Sequence, residues 1–62
     1  MTFTELMQAT YRQQTVMLML GDDDTITGNA EALDNYITIE IAEAKVKEIN
    51  VENNTMKVWV EE

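Results

Sequence analysis

The most informative absences in this sequence are cysteine, histidine and proline, none of which occurs in its 62 residues. The lack of cysteine and histidine excludes disulfide bonds and the usual zinc sites. A chain of this length forms one domain at most, residues 1–62, and buries only about 60% of its unfolded surface. Small domains are usually completed by a disulfide, a metal or a partner subunit. We therefore expect oligomerisation, with no cofactor and no metal.

Basic side chains are also scarce, since Arg12, Lys45, Lys47 and Lys57 stand against twelve carboxylates and leave a net charge of −8. Binding to a phosphate backbone draws its affinity from Lys and Arg, and a strongly negative field repels polyanions. The charge also has a simpler interpretation, which is that it keeps the protein in solution. With 45% hydrophobic residues, the chain is too apolar for a disordered acidic tail.

No apolar run approaches the roughly 20 residues of a membrane span, and the N-terminus lacks a basic, apolar signal region. We therefore expect a soluble, cytoplasmic protein with no membrane contact. Three adjacent acids at 22–24 suggest calcium, but the spacing and the distal glutamate of an EF-hand are missing, and a solvated turn is the alternative. Catalysis is not expected, because the chain has no histidine or cysteine and no evident carboxylate pair in an apolar pocket.

The N-terminal residues predict a helix over about 2–14. Mostly apolar side chains recur there at helical spacing, which gives one inward-facing stripe. Thr2 and Glu5 have capping-box spacing, so the hydroxyl is expected to accept from the residue 5 amide and the carboxylate from the residue 2 amide. The stripe consists of Phe3, Leu6, Met7, Thr10, Tyr11 and Gln14.

Beyond the helix, alternating apolar residues and tight turns predict five short strands. Gly28 falls in the middle of the second strand, which requires a sharp bend or the close approach of another backbone. Asn53-Asn54 is a hairpin signal, because asparagine tolerates positive φ. A helix followed by five short strands predicts a small antiparallel barrel. The strands are placed at about 15–20, 25–33, 36–41, 44–52 and 55–60.

Two features favour assembly into a larger particle. The first strand is apolar on both faces, so Met17 and Met19 need a helix or a neighbouring subunit to cover them. Trp59 on the last strand is either an interface residue or a cap on the core. Uncovered edge strands favour pairing between subunits, and closed symmetry limits growth. We therefore expect a homo-oligomeric ring joined through edge strands.

The segment 28–41 carries a resemblance to a known family. It places a strand glycine six residues before an aspartate, and an aromatic residue before an alternating apolar run. This pattern resembles the Sm-like superfamily, which includes Sm proteins and bacterial host-factor riboregulators, over residues 3 to about 46. The resemblance implies a strongly bent, five-stranded antiparallel barrel of the SH3-like (Sm) type, all-β apart from its N-terminal helix, in a ring of about five to seven subunits. The matching positions are Gly28, Leu33-Asp34, Tyr36, Ile37-Thr38-Ile39-Glu40-Ile41 and Glu43-Ala44.

The resemblance also implies a site for short single-stranded RNA in the pore of the ring. Tyr36 would stack on a base, and Thr38 would replace the usual asparagine that hydrogen-bonds the base edge. The turn that carries a cation in family members has none here, and offers only the amides of Asn53 and Asn54. The helix face is another RNA surface in the family, where the contacts would come from Gln8 and Arg12.

Each of these residues also has an ordinary structural interpretation. Tyr36 would then cover the end of the barrel, Thr38 would fill a strand position, and the helix face would be solvated surface. Two functions therefore stay open. The resemblance favours a ring-forming protein that binds short single-stranded RNA. The missing cation and the net charge favour an acidic ring-forming scaffold or protein-interaction module that has lost RNA binding and takes a basic protein as its partner.

Overall fold

The computed structural model of the protein describes residues 1–21 and 24–61. Within these residues the chain forms three short helices and four strands, and most of the ordered backbone is in the strands. In chain order the elements are α1 (Phe3–Ala9), β1 (Thr15–Leu20), β2 (Asp24–Asn29), α2 (Ala30–Asn35), α3 (Ile39–Ala42), β3 (Val46–Glu52) and β4 (Thr55–Val60).

The four strands form one mixed sheet in the order β2-β1-β4-β3. Two antiparallel hairpins, β1–β2 and β3–β4, lie side by side, and the central strands β1 and β4 run parallel. Two parallel strands cannot be joined by a tight turn and need a long crossover connection. The segment with α2 and α3, which joins the first hairpin to the second, provides this connection. The prediction of a five-stranded antiparallel barrel is not confirmed, because the described residues form four strands in an open sheet with edges at β2 and β3.

All three helices pack on one face of this sheet. The register places Val16 and Leu18 of β1 on the same face as Met56 and Val58 of β4, and these residues join buried side chains of α1 and α2. The result is a layer of helices on a sheet, with the core between them. The buried core consists of Phe3, Leu6, Met7, Val16, Leu18, Ala30, Leu33, Met56 and Val58.

Helix α1 begins at the predicted capping box. The Thr2 backbone N–H donates to Glu5 Oε1 at 2.9 Å, and the Glu5 N–H donates to Thr2 Oγ1 at 3.2 Å. The Thr2 backbone N–H, with a smaller contribution from the Thr2 side chain, holds the pKa of the Glu5 carboxyl below its ordinary value. The resulting stability is present above the unfolded-state pKa, and it is lost as the pH falls through the lower folded-state pKa.

The predicted helix over 2–14 is too long, because α1 ends at Ala9. Thr10 follows it with an extended backbone (φ −94°, ψ 145°), and its hydroxyl donates to the Leu6 carbonyl at 2.6 Å. The helical spacing that placed Tyr11 on the inward stripe does not continue past this point. Tyr11 is 72% exposed, so the prediction that it faces the core is wrong.

The predicted strand over 25–33 is wrong in its second half, where α2 begins. Asn29 caps this helix, since its Oδ1 accepts from the Ala32 N–H at 2.8 Å. Ala30 and Leu33, three residues apart, are the buried side of the helix. Alanine, glutamate and leucine are strong helix formers, and a spacing of three fits a helix better than a strand. The alternation of small residues was therefore a misleading signal.

The predicted strand over 36–41 is also wrong, because Ile39–Ala42 form α3. Thr38 caps it, with Oγ1 accepting from the Ile41 N–H at 3.3 Å. Ile37 and Ile41 lie four residues apart and both pack against the core, whereas Ile39 between them is 75% exposed. Burial of the outer two isoleucines therefore outweighs the β propensity of the run, which is a context-dependent preference.

The other predicted strands are close to the observed ones. Residues 15–20 and 55–60 are the bounds of β1 and β4, and the strand predicted at 44–52 begins at Val46. Asn53 and Asn54 form the turn of the β3–β4 hairpin with φ of 51° and 60°, the positive values that a type I′ turn requires. The calcium alternative rests on Asp22 and Asp23, which lie outside the described residues.

Gly28 is not required by the backbone at its position in β2, contrary to the expectation of a sharp bend or close approach. An added Cβ would lie 3.8 Å from Ala32 Cβ and from Leu33 Cδ2, which is an ordinary contact. Glycine loses more conformational freedom on folding than alanine. We expect Gly28→Ala to stabilise the fold by about 0.5–1 kcal/mol, measured by urea unfolding. A loss of stability would show that the strand is crowded there, as the barrel prediction required.

Candidate functional site

The residues predicted to bind an RNA base lie on the connection between α2 and α3. Tyr36 follows the last turn of α2, and its side chain is 86% exposed. The Thr38 hydroxyl accepts from the Ile41 N–H at the start of α3. Tyr36 therefore presents its ring to solvent, whereas Thr38 has a structural role as a helix cap.

The two predicted asparagines lie on a different connection, the turn of the β3–β4 hairpin. The side-chain amide of Gln14 donates to the Asn54 carbonyl at 2.7 Å and to the Thr15 carbonyl at 3.0 Å. These bonds tie the turn to the start of β1. Positive φ at Asn53 and Asn54 explains the choice of asparagine. The four residues predicted as one base-binding pocket are therefore divided between two connections.

Gln8 and Arg12 both line a groove of about 270 Å³ between α1 and α2, although Arg12 lies beyond the end of α1 and not on the helix face where it was predicted. The same groove is lined by the carboxylates of Glu31 and Asp34. The single cation of this surface thus faces two acids, and the local charge is negative. A groove with this balance does not attract a phosphate backbone, which is bound mainly through Lys and Arg.

The site that sequence reasoning missed is a larger cavity beside α3, of about 410 Å³. We call it the α3 pocket. Its lining residues are of two kinds, half-buried aliphatic residues from β1, β4, α3 and the segment after α3, and exposed glutamates. The aliphatic residues are Leu20, Ile41, Ala44 and Val60, and the acidic residues are Glu40, Glu43 and Glu61.

The parallel pairing of β1 and β4 creates the α3 pocket. Because the two strands run in the same direction, their last residues, Leu20 and Val60, lie at the same end of the sheet. Backbone hydrogen bonds then fix the chain around these strand ends. The Ala44 N–H donates to the Ile41 carbonyl at 3.1 Å, and the Glu61 N–H donates to the Lys45 carbonyl at 2.8 Å. Three distant parts of the sequence thus meet at one pocket.

The electrostatics of the α3 pocket favour a cation. As far as the described residues extend, its lining holds three carboxylates and no Lys or Arg. The one ion pair found across the described ranges lies elsewhere, between Lys57 Nζ and Glu52 Oε2 at 3.6 Å. Residues 13–44 contain seven acids and no base, and this bias was the sequence signal that could have indicated the acidic side of the molecule.

Comparisons with known proteins give no further guide to this site. No protein-family model, no curated protein and no solved structure matches the chain. Among the helices that the structure describes, none has the length and apolar character needed to cross a membrane.

Proposed function

We propose that this protein is an acidic protein-interaction module that binds a basic segment of a partner protein at the α3 pocket. The observation that carries the proposal is the composition of this pocket, in which half-buried aliphatic residues are combined with the exposed Glu40, Glu43 and Glu61. Such a surface accepts a ligand that is both apolar and positively charged.

Lysine and arginine side chains have this character. Their aliphatic stems cover apolar surface while the charged group stays at the rim in water. In the α3 pocket the stem would lie against Leu20 and Val60, and the cation would meet the surrounding carboxylates. Arginine has the additional ability to bind a carboxylate through two parallel hydrogen bonds.

The strength of this interaction follows from its exposure. Exposed ion pairs contribute only about 0–1 kcal/mol each, so three carboxylates and one aliphatic contact predict weak, reversible binding. The net charge of −8 acts at longer range and accelerates the encounter with a basic partner at low salt. We therefore expect binding in the micromolar range, with a strong dependence on ionic strength.

A titration with a labelled octa-lysine peptide tests the proposal. Amide NMR shifts are expected at residues 20–21, 39–44 and 60–61, and the affinity is expected to fall by at least tenfold between about 20 and 200 mM salt. The control is the same peptide with every lysine acetylated, which keeps the aliphatic stem and loses the charge, and it should not bind. Shifts spread evenly over the surface would contradict a specific site.

A second candidate function is the binding of short single-stranded RNA by a homo-oligomeric ring. The observation that favours it is the exposed ring of Tyr36, since aromatic side chains stack on bases in single-strand readers. The same titration with oligo-U and oligo-A separates the two functions. RNA binding predicts shifts around Tyr36 that disappear in Tyr36→Ala, whereas the protein-interaction module predicts no response to either oligonucleotide.

A further inference from the structure

The face of the sheet opposite the helices is a second surface that the α3 pocket does not explain. Strand residues alternate between faces, and the register places Met17, Met19, Lys57 and Trp59 of the two central strands on the side away from the core. In the described part of the chain, no helix covers this side. We call it the open face.

We propose that a second copy of this chain packs on the open face, so that two sheets stack face to face in a two-fold dimer. This proposal does not depend on the function of the α3 pocket, which lies beside α3 on the helix side of the sheet. Stacked sheets lie about 10 Å apart with strands within about 30° of alignment.

The first argument for a second copy as the occupant is charge. The register-paired positions of the open face carry two carboxylates, Glu48 and Glu52, and one ammonium, Lys57, which is paired with Glu52. These positions sum to −1 in a chain of net charge −8, and Lys47, in the bulge of β3 between Val46 and Glu48, adds a positive charge at the same edge strand. Two copies can therefore approach through this face without the repulsion that the acidic helix side would cause.

The second argument is the order of residues in one row across the sheet. The pairings Thr25–Met19, Met19–Trp59 and Trp59–Glu48 define this row from edge to edge. If the two-fold axis between the stacked sheets is parallel to the strands, the strand order of the second copy is reversed relative to the first. The row of the second copy then runs from Glu48 to Thr25 above the row that runs from Thr25 to Glu48. Thr25 then lies over Glu48 of the second copy, and Met19 lies over its Trp59.

This arrangement is favourable at each position of the row. A methionine sulfur against an aromatic ring is an attractive contact, and the acidic edge of each copy meets the neutral threonine edge of the other. An axis perpendicular to the strands through the middle of the face would instead place Glu48 over Glu52 of the second copy. The charge pattern therefore selects one of the two possible dimers, and the interface is isologous, as two-fold symmetry requires.

The size of the open face sets the strength of the dimer. Four strands at a spacing of about 4.8 Å and six residues at a rise of about 3.3 Å give a face of roughly 400 Å². A stable interface buries about 800 Å² per partner. We therefore expect a weak dimer, with a dissociation constant of roughly tens to hundreds of micromolar, that forms at high protein concentration.

Substitutions at Thr25 test the dimer and its axis together, because this residue is exposed and a change there leaves the core intact. Thr25→Lys brings an ammonium over Glu48 of the second copy, and Thr25→Glu brings a carboxylate there. Each change occurs twice in the dimer. We expect Thr25→Lys to strengthen dimerisation about three- to tenfold and Thr25→Glu to weaken it by a similar factor.

Sedimentation velocity from about 5 to 500 μM at low salt is the measurement. A wild type that stays monomeric throughout, or that assembles into a ring of five to seven subunits, would overturn the proposal. Equal effects of the two Thr25 variants on the dimer dissociation constant would also overturn the proposal, since the proposed axis requires one variant to lower this constant and the other to raise it. Ile39→Glu, which adds the same charge on the helix side, is the matched control and should leave the dimer constant within about twofold.

Discussion

Phe3→Ala is expected to unfold this protein at 25 °C. Phe3 is fully buried, with 0% exposure, and is the largest of the completely enclosed side chains. Truncation of a buried phenylalanine to alanine costs about 3–5 kcal/mol, since it removes apolar burial and leaves a cavity. A single core in a chain of this length rarely supplies more than about 3–5 kcal/mol in total. The loss therefore equals the whole stability of the fold.

Circular dichroism and urea unfolding measure this effect, and Tyr11→Ala is the matched control. Tyr11 is also an aromatic residue near the N-terminus, but it is mostly exposed, and its truncation should change stability by less than about 0.5 kcal/mol. If the sequence interpretation of one continuous inward stripe were right, the two variants would be similarly destabilised. A cooperative transition in Phe3→Ala within about 1 kcal/mol of wild type would contradict the core described above.

Local signals predicted the parts of the fold that depend on neighbouring residues. The capping box at Thr2 and Glu5, the Asn53-Asn54 turn, and the bounds of β1 and β4 are each indicated by a residue pattern within a few positions of the sequence. The doubly apolar pattern of β1 also fits its central place in the sheet. These features need no knowledge of distant partners, which is why the sequence was sufficient for them.

The segment 28–41 was misread because its apolar residues fit two periods. Alternating alanines and isoleucines indicate a strand, yet Ala30 and Leu33 also share a helix face, and Ile37 and Ile41 are four apart. The caps at Asn29 and Thr38 decide between the two. The positions that carried the Sm-like resemblance fall largely in this segment. The two helices found there differ from the strands of the five-stranded barrel that the resemblance implied.

The α3 pocket could not be predicted from the sequence for a topological reason. Its residues come from around position 20, from 40–44 and from 60–61, and only the parallel pairing of β1 and β4 brings these stretches together. The sequence interpretation assumed that all neighbouring strands are antiparallel. In that arrangement the C-terminal ends of two adjacent strands lie at opposite ends of the sheet. The sequence therefore shows the acidic bias of residues 13–44, but it does not show that Glu40 and Glu43 meet Glu61 at one end of the sheet.

The distribution of charge connects the two proposed surfaces. The crossover segment with α2 and α3 holds Glu31, Asp34, Glu40 and Glu43 without a base, whereas the open face is close to neutral. A dimer stacked through the neutral face would point both acidic sides outwards. Two α3 pockets would then be available to one partner, and a partner with two basic segments would bind more tightly through effective concentration.

Charge reversal at the α3 pocket is the decisive functional experiment. In the double variant Glu40→Lys/Glu43→Lys the pocket would carry two ammonium groups and one carboxylate. Each reversal replaces a weak attraction for the basic peptide by a repulsion of similar size. Two reversals should therefore weaken octa-lysine binding by about a hundredfold, or about 3 kcal/mol, measured by fluorescence anisotropy at about 150 mM salt.

The double variant Glu48→Lys/Glu52→Lys separates the pocket from the overall charge. Both double variants change the net charge from −8 to about −4, but Glu48 and Glu52 lie on the open face. At about 150 mM salt the Debye length is about 8 Å, so reversal on the far side of the sheet should weaken binding no more than about threefold. Equal losses in the two variants would show that the peptide responds to net charge alone. A large loss confined to the Glu40 and Glu43 variant, in a protein that unfolds normally, requires a specific cation site at α3.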